Sequence, residues 1–143
     1  IRLLTTISAV INGGNMITPH FGVKILDEQK NRKYPIRYNA QKNVISKDTS
    51  EVMKKILESV VSEGGGKKAA VDGYKVGAKT GTSEKLPRRS GKYVASCMGF
   101  APADNPKVIA LVLIDEPQGI YYGGTIAAPV ISKLLDDILP YID

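Results

Sequence analysis

A cation, two hydroxyls and a glycine follow one another in the segment Gly77-Ala78-Lys79-Thr80-Gly81-Thr82-Ser83. Lys79, Thr80 and Thr82 could together hold a carboxylate by charge and hydroxyl hydrogen bonds. Gly81 would let another chain approach the backbone of this segment closely. The N–H groups of that backbone could stabilise an oxyanion or pair with an extended peptide. Strand alternation separates Lys79 and Gly81 from the two threonines, unless the twist of an edge strand brings lysine and threonines to one mouth. The alternative is a polar surface strand next to a loop.

Phosphate chemistry does not explain these glycines. A phosphate-binding loop needs Gly, four spacers and then Gly-Lys-Ser/Thr, so that backbone N–H groups ring the phosphates. Gly73 and Gly77 have the wrong spacing, and Ala78 stands where the second glycine is needed. In the glycine run 64–66, Lys68 occupies the position of the magnesium-binding hydroxyl. The sequence therefore predicts no nucleotide site.

Composition is that of a soluble globular chain of 143 residues with a net charge of +6. The basic residues are spread along the chain, aromatic residues make up 6% and Trp is absent, so a base-stacking surface is not predicted. A basic nucleic-acid binder stays an alternative that salt-dependent DNA binding would support, but we expect no nucleic-acid partner. The charge equally suits a surface near anionic lipid or cell-wall polymer.

The chain has one cysteine and one histidine, which limits the metal binding and redox chemistry it could support. Cys97 is the only cysteine and lies in an apolar run, so we expect a small buried thiol. His20 is the only histidine and is expected to be structural. The sequence thus predicts no disulfide, no metal site and no cofactor.

Apolar periodicity predicts an α+β fold in which helices flank an antiparallel sheet. Helices are expected from the chain start to a stop at Asn12, from Ser46–Ser50 to Gly64, and from Thr125 to Leu139, where Pro140 ends the helix. Strands are expected at 74–80, 93–101 and 108–115, with 16–27 extended and 27–47 a polar excursion. Because no helix separates the last three strands, they are expected to form a meander, with both faces of the apolar strand 108–115 covered.

Lys79-Thr80-Gly81 lies within the segment Val76–Thr82, and it is accompanied along the chain by Asn12-Gly13-Gly14, Ile17-Thr18-Pro19-His20, Gly99-Phe100-Ala101-Pro102-Ala103-Asp104, Asp115-Glu116-Pro117 and Tyr122-Gly123-Gly124-Thr125-Ile126-Ala127-Ala128-Pro129-Val130. In this order and over nearly the whole chain, these segments resemble the C-terminal part of the transpeptidase domain of class B penicillin-binding proteins. Lys-Thr-Gly is the third signature of the penicillin-recognising serine enzymes. The closest resemblance is to the sporulation and division branch from Gram-positive bacteria.

The resemblance implies a serine β-lactamase-like fold and a D,D-transpeptidase that cross-links peptidoglycan through a serine acyl-enzyme. By analogy, the substrate and β-lactam site comprises Lys79, which supplies positive charge, Gly81, and the carboxylate-binding Thr80 and Thr82. The Thr82 N–H would be one oxyanion donor. The loop 83–91, with its two arginines, would rim the cleft, and 121–125 would be structural. The implied partners are D-Ala-D-Ala stem peptides and β-lactams, on the extracytoplasmic face of the membrane.

The family's nucleophile is missing from this sequence. The family needs Ser-x-x-Lys and Ser-x-Asn, and no serine of this chain has Lys three residues on or Asn two residues on. We therefore assign no catalytic residue within 1–143 and expect the chain alone to be inactive. An apolar helical pattern already under way at Ile1, with no capping residue, predicts a fragment whose partner is the upstream half of its own domain. The resemblance implies that the intact protein is anchored to the membrane by an N-terminal segment outside this chain. The alternative is a non-catalytic binding or regulatory module with the same fold.

Overall fold

The computed structural model describes residues 1–142 and divides them into two compact units, with the boundary between Ser50 and Glu51. Helix α2 (Lys47–Ser62) runs across that boundary. The first unit holds a helix and a two-stranded hairpin, and the second holds a three-stranded sheet with helices packed on it.

Helix α1 (Arg2–Ile11) begins at Ile1 without a side-chain cap and ends at Asn12, as the sequence predicts. The side chain of Asn12 accepts a hydrogen bond from the Asn15 N–H at 2.8 Å. The buried Ser50 hydroxyl donates to the Val10 carbonyl at 2.7 Å, which satisfies one of the last carbonyls of the helix.

Strands β1 (Lys24–Asp27) and β2 (Arg32–Pro35) form an antiparallel hairpin in which Ile25 lies opposite Tyr34. The predicted extended segment 16–27 thus becomes a strand only in its last four residues. At the base of the hairpin the His20 and Tyr38 rings stack with centroids 3.7 Å apart, which agrees with a structural role for His20.

Helix α2 starts where the sequence predicts, with the Ser46 hydroxyl accepting a hydrogen bond from the Thr49 N–H at 3.1 Å. Along α2, apolar residues recur at helical spacing and predict one apolar stripe of Val52, Met53, Ile56, Leu57, Val60 and Val61. This stripe is only partly buried, because Leu57 is buried whereas Ile56 is 51% exposed. The apolar stripe is therefore wider than the buried face of the helix.

Strands β3 (Gly77–Glu84), β4 (Tyr93–Ala101) and β5 (Val108–Asp115) form an antiparallel meander in the order β3-β4-β5. The predicted bounds of β4 and β5 and the α+β fold class are confirmed. The predicted bounds of β3 are wrong, because eight consecutive residues from Gly77 onward pair with β4. The expected covering of both faces of β5 is also wrong, since Leu113 is 61% exposed.

The predicted last helix is two helices, α3 (Gly123–Ile126) and α4 (Ala128–Ile142). Pro140 lies inside α4 and does not end it, which corrects the sequence prediction. The core of the second unit forms where α4 packs on the sheet through fully buried side chains, among them Ile131, Leu135, Leu139, Cys97 and Ala78.

Candidate functional site

The Lys79–Thr82 segment lies in the middle of β3, which is an edge strand in the described part of the chain. Its register is continuous, with Thr80 opposite Cys97 and Thr82 opposite Ala95. Because Cys97 belongs to the core beneath α4, alternation places Thr80 and Thr82 on the helix-covered face of the sheet. The prediction that these threonines lie on one face of the sheet, with Lys79 and Gly81 on the other, is therefore correct.

The hydrogen-bond pattern shows which backbone groups face the open edge of β3. The Lys85 N–H donates to the Lys92 carbonyl at 2.8 Å, so this pair is a hydrogen-bonded pair of the antiparallel ladder. Such pairs alternate with non-hydrogen-bonded ones, and the pairs at Thr80 and Thr82 are therefore of the second kind. The N–H and C=O groups of both threonines thus point away from β4 and toward the open edge.

The side chain of Lys79 reaches the same edge. Its Nζ donates to the backbone carbonyl oxygen of Thr80 at 2.6 Å, and the Lys79 side chain is exposed to solvent. No twist of the edge strand is therefore needed to bring the charge of Lys79 beside the threonines. A lysine on the opposite face bends around the strand margin and brings its charge beside the threonine backbone.

Thr82 is tied to the start of α3. Its hydroxyl oxygen accepts a hydrogen bond from the Gly123 N–H at 3.1 Å. Gly123 is buried, and a side chain there would overlap the carbonyl oxygens of Gly81 and Ser96. The strand that carries the candidate site is thus fixed to the helix layer by a backbone-to-backbone approach.

An aromatic stack lies beside this junction, and the sequence did not predict it as part of a site. The rings of Tyr93 and Tyr121 stack with centroids 4.0 Å apart, and Tyr122 lies 4.7 Å from Tyr121. Tyr93 and Tyr121 also line a cleft of about 460 Å³ together with Glu116. The signal that could have found it is the Tyr-Tyr pair directly before Gly123, because exposed adjacent aromatics next to a close-packed turn offer an apolar surface.

Ion pairs hold the end of the sheet next to the stack. Lys85 Nζ lies 3.0 Å from Asp115 and 2.9 Å from Glu116, and Lys92 lies 3.3 Å from Glu116. Hydrogen bonds to Lys85 and then to Lys92 hold the pKa of Glu116 below its ordinary value. The predicted loop 83–91 is shorter in the structure, because Ser83 and Glu84 belong to β3. Arg88 and Arg89 lie in the remaining loop and are exposed. Their role as a cleft rim stays a prediction.

Metal-ligand groups and the thiol were also compared with the candidate strand as possible reactive centres among the described residues. Across residues 1–142, His, Cys, Asp and Glu side chains form no group that could hold a metal ion. Cys97 is buried, and burial raises its pKa to about 11, so it is a poor nucleophile. None of the helices described here is long and apolar enough to cross a membrane.

An edge strand with Lys-Thr-Gly-Thr, fixed to the following helix and backed by an α4-covered meander, is the arrangement that the resemblance to a transpeptidase domain implies. The chain belongs to the penicillin binding protein transpeptidase domain family, whose model matches residues 1–136. This match and the relatives described next together confirm the resemblance to class B penicillin-binding proteins.

Individual relatives agree with this membership. The chain is 41% identical over 150 residues to stage V sporulation protein D of Bacillus subtilis, covering 98% of this chain and 22% of that protein. It is 41% identical over 103 residues to peptidoglycan D,D-transpeptidase FtsI of Buchnera aphidicola, covering 68% of this chain and 18% of that protein. The fold matches the transpeptidase domain of Burkholderia pseudomallei penicillin-binding protein 3 with a TM-score of 0.73 and 31% identity, covering 99% and 42% of the two chains.

Proposed function

We propose that this chain is the part of a peptidoglycan D,D-transpeptidase that presents the substrate-binding strand. The observation that carries the proposal is the open edge of β3, where Lys79 Nζ lies beside the Thr80 carbonyl and the Thr82 N–H points outward. Family membership supports the reaction class, and the chain spans about a fifth of the length of the two relatives described above.

The proposed ligand is an extended stem peptide ending in D-Ala-D-Ala, or a β-lactam of similar shape. The peptide would add to the edge of β3 as a further strand and pair with the outward backbone groups of Thr80 and Thr82. Lys79 supplies the positive charge that attracts the terminal carboxylate, while the hydroxyls of both threonines are its hydrogen-bond donors. Gly81 keeps the strand surface between them free of a side chain.

The outward N–H of Thr82 is the proposed oxyanion donor. When a serine attacks the scissile carbonyl, the carbonyl oxygen takes up negative charge, and a fixed backbone donor stabilises it. Removing one such donor costs about 3–4 kcal/mol in known serine enzymes. The attacking serine and its lysine base are proposed to come from an upstream half of the same domain, of which residues 1–143 form the C-terminal portion. The complete protein would act on the outer side of the cell membrane.

The test is acylation of the full-length protein by a fluorescent penicillin, followed by a denaturing gel. We expect Lys79→Ala to slow acylation at least about 100-fold, because the anionic ligand loses the cation that attracts its carboxylate. Lys75→Ala is the matched control, since Lys75 is a solvent-exposed lysine whose Nζ lies 4.0 Å from Glu58. Near-normal acylation of Lys79→Ala would contradict the proposal.

A second measurement uses the 143-residue chain by itself. We expect no covalent label, because no serine in it has the partner residues that the family's nucleophile requires. A stoichiometric label on the chain would place the nucleophile within it and contradict the proposed division of the active site. Absence of labelling of the full-length protein would favour the non-catalytic module.

A further inference from the structure

We propose that the backbone N–H of Gly123 orients the Thr82 hydroxyl so that its single hydrogen points to the ligand. Gly123 is thus a positioning residue for the carboxylate. This inference rests on the proposed function, because it concerns the same carboxylate-binding hydroxyl. The observations behind it are the Gly123–Thr82 hydrogen bond, the exposure of Thr82 and the tight packing around Gly123.

A hydroxyl has one hydrogen to donate and two lone pairs that accept. The Gly123 nitrogen lies 3.1 Å from Thr82 Oγ1, and since a backbone N–H can only donate, the hydroxyl is the acceptor. The hydroxyl hydrogen therefore cannot point at Gly123. It is directed away from α3, and because Thr82 is exposed, a ligand carboxylate can reach it.

Packing requires a glycine at position 123. A Cβ there would overlap the carbonyl oxygens of Ser96 and Gly81 and would lie 3.0 Å from the Ser96 nitrogen. These are backbone atoms of paired strands, which cannot turn aside as a flexible side chain would. Any side chain at this position must push the start of α3 away from β3, and the bond to Thr82 is then stretched or lost.

The consequence for binding is preorganisation. A free hydroxyl rotates among several partners and must be fixed when the ligand binds, whereas an oriented one is already in place. A hydrogen bond to a charged group is worth about 10- to 100-fold in rate or affinity. Losing the hydroxyl should remove that whole factor, and losing only its orientation should remove part of it.

The first experiment measures hydrogen exchange of the Gly123 amide by NMR in the 143-residue chain. Thr82→Val keeps the shape of the side chain and removes the acceptor, and Thr82→Ser keeps the acceptor. We expect exchange at Gly123 to accelerate at least about tenfold in Thr82→Val and to stay near wild type in Thr82→Ser. Equal exchange rates in wild type and Thr82→Val would overturn the inference.

The second experiment compares two β-lactams in the full-length protein, one with a free carboxylate and one with that group esterified. Its readout is the ratio of their acylation rates, which a general loss of folded protein does not change. We expect Thr82→Val to lower the ratio about 10- to 100-fold and Gly123→Ala to lower it severalfold. The double variant should match Thr82→Val alone, because both changes act through one hydroxyl.

Two glycine variants serve as controls. A Cβ at Gly65 meets no atom within 4 Å, so Gly65→Ala should leave the ratio unchanged. A Cβ at Gly124 would lie 2.6 Å from the Gly65 carbonyl oxygen, so Gly124→Ala disturbs the same helix start without overlapping β3 or β4 backbone. An equal loss in Gly124→Ala and Gly123→Ala would overturn the inference in favour of packing alone.

The outcomes separate this inference from the proposed function. If Thr82→Val keeps the wild-type ratio, the carboxylate role of Thr82 is wrong and the proposed function loses that contact. If Thr82→Val lowers the ratio and Gly123→Ala does not, only the orienting role of Gly123 is overturned.

Discussion

The hairpin of β1 and β2 and the sheet of β3 to β5 are both antiparallel, yet they are stabilised differently. In the hairpin, large apolar side chains stay accessible, with Ile25 59% and Leu26 54% exposed. In the sheet, one face is covered by α4, and Ile131 and Leu135 are fully buried against it. Both regions have complete backbone ladders, so hydrogen bonding alone does not distinguish them.

The difference teaches where the precision of the candidate site comes from. A two-stranded ribbon without a covered face is at best marginally stable in water. A strand whose neighbours are packed beneath a helix has its register fixed, because a one-residue slip would turn the buried set toward solvent. Lys79, Thr80 and Thr82 lie on the second kind of strand, and four substitution experiments test whether burial explains this contrast.

The largest expected effect comes from the same truncation made in each region. Ile131→Ala should lower the free energy of unfolding by about 2–5 kcal/mol, because it leaves a cavity between α4 and the sheet. Ile25→Ala should change it by less than about 0.5 kcal/mol, since that side chain is mostly exposed. Urea denaturation followed by circular dichroism measures both. Similar losses in the two variants would break the comparison.

Two glycine-to-alanine substitutions, one in each region, test the packing by adding a methyl group where the previous pair removed side-chain atoms. A Cβ at Gly99 would overlap Ile131 Cγ2, so Gly99→Ala should cost about 1–3 kcal/mol. A Cβ at Gly22 would lie 3.2 Å from Ile36 Cδ1, the tip of a flexible side chain, so Gly22→Ala should be within about 0.5 kcal/mol of wild type. Thermal unfolding of the two variants under one set of conditions checks this, and a larger cost at Gly22 would contradict it.

The thiol of Cys97 reports the burial of β4 through its ionisation. Burial raises its pKa to about 11, with the charge of Lys79 acting weakly against the rise. Alkylation by iodoacetamide at pH 8 should therefore be at least about 100-fold slower in the folded protein than in urea. Comparable rates in the two conditions would mean that β4 opens to solvent as readily as an exposed segment.

The same thiol gives a pH dependence whose sign follows from linkage. The unfolded thiol ionises near its ordinary pKa of about 9, whereas burial raises the pKa of the folded one to about 11. As pH rises through that window the unfolded state gains charge first, so stability falls. Cys97→Ala should lose less stability than wild type between pH 8 and pH 10.5, as measured by urea midpoints. Parallel slopes in the two proteins would contradict this.

The smallest effect is expected at the accessible end of the sheet, where Lys85 bridges Asp115 and Glu116. Glu116→Gln should destabilise the protein slightly, and the difference should vanish in about 1 M salt because exposed ion pairs are screened. The pKa of Glu116 is lowered, so its contribution is present above the ordinary carboxyl pKa and is lost as pH falls through the lowered value. If wild type remained more stable than Glu116→Gln at high salt, this ion pair would behave like a buried one.

Much of the sheet could be predicted from local pattern. Val108–Ile114 is a continuous apolar run ended by Asp115, and Tyr93–Ala101 is bounded by turn residues, so both strands have the predicted bounds. The bounds of β3 could not be predicted in this way, because Ser83 and Glu84 are strand residues only through their pairing with β4. Pro140 marked a helix end by propensity, but α4 runs on to Ile142.

The candidate site divides in the same way. The Lys-Thr-Gly-Thr segment and its flanking motifs identified the family, since they depend on residue types in a fixed order. The tyrosine stack and the Gly123–Thr82 bond join residues that are 28 and 41 positions apart, and no local pattern reports such contacts. They form only when the sheet and α3 are assembled.

The sequence by itself determined the chemistry available to this protein: a cation, two hydroxyls and a glycine on one strand, without the family's serine nucleophile. Side-chain identity fixes charge and hydrogen-bonding capacity before any folding occurs. Only the tertiary structure decided which of these groups point outward. That choice depends on the parity of the β3–β4 ladder, which turns the Thr82 N–H to the open edge, and on the close approach of Gly123, which turns the Thr82 hydroxyl.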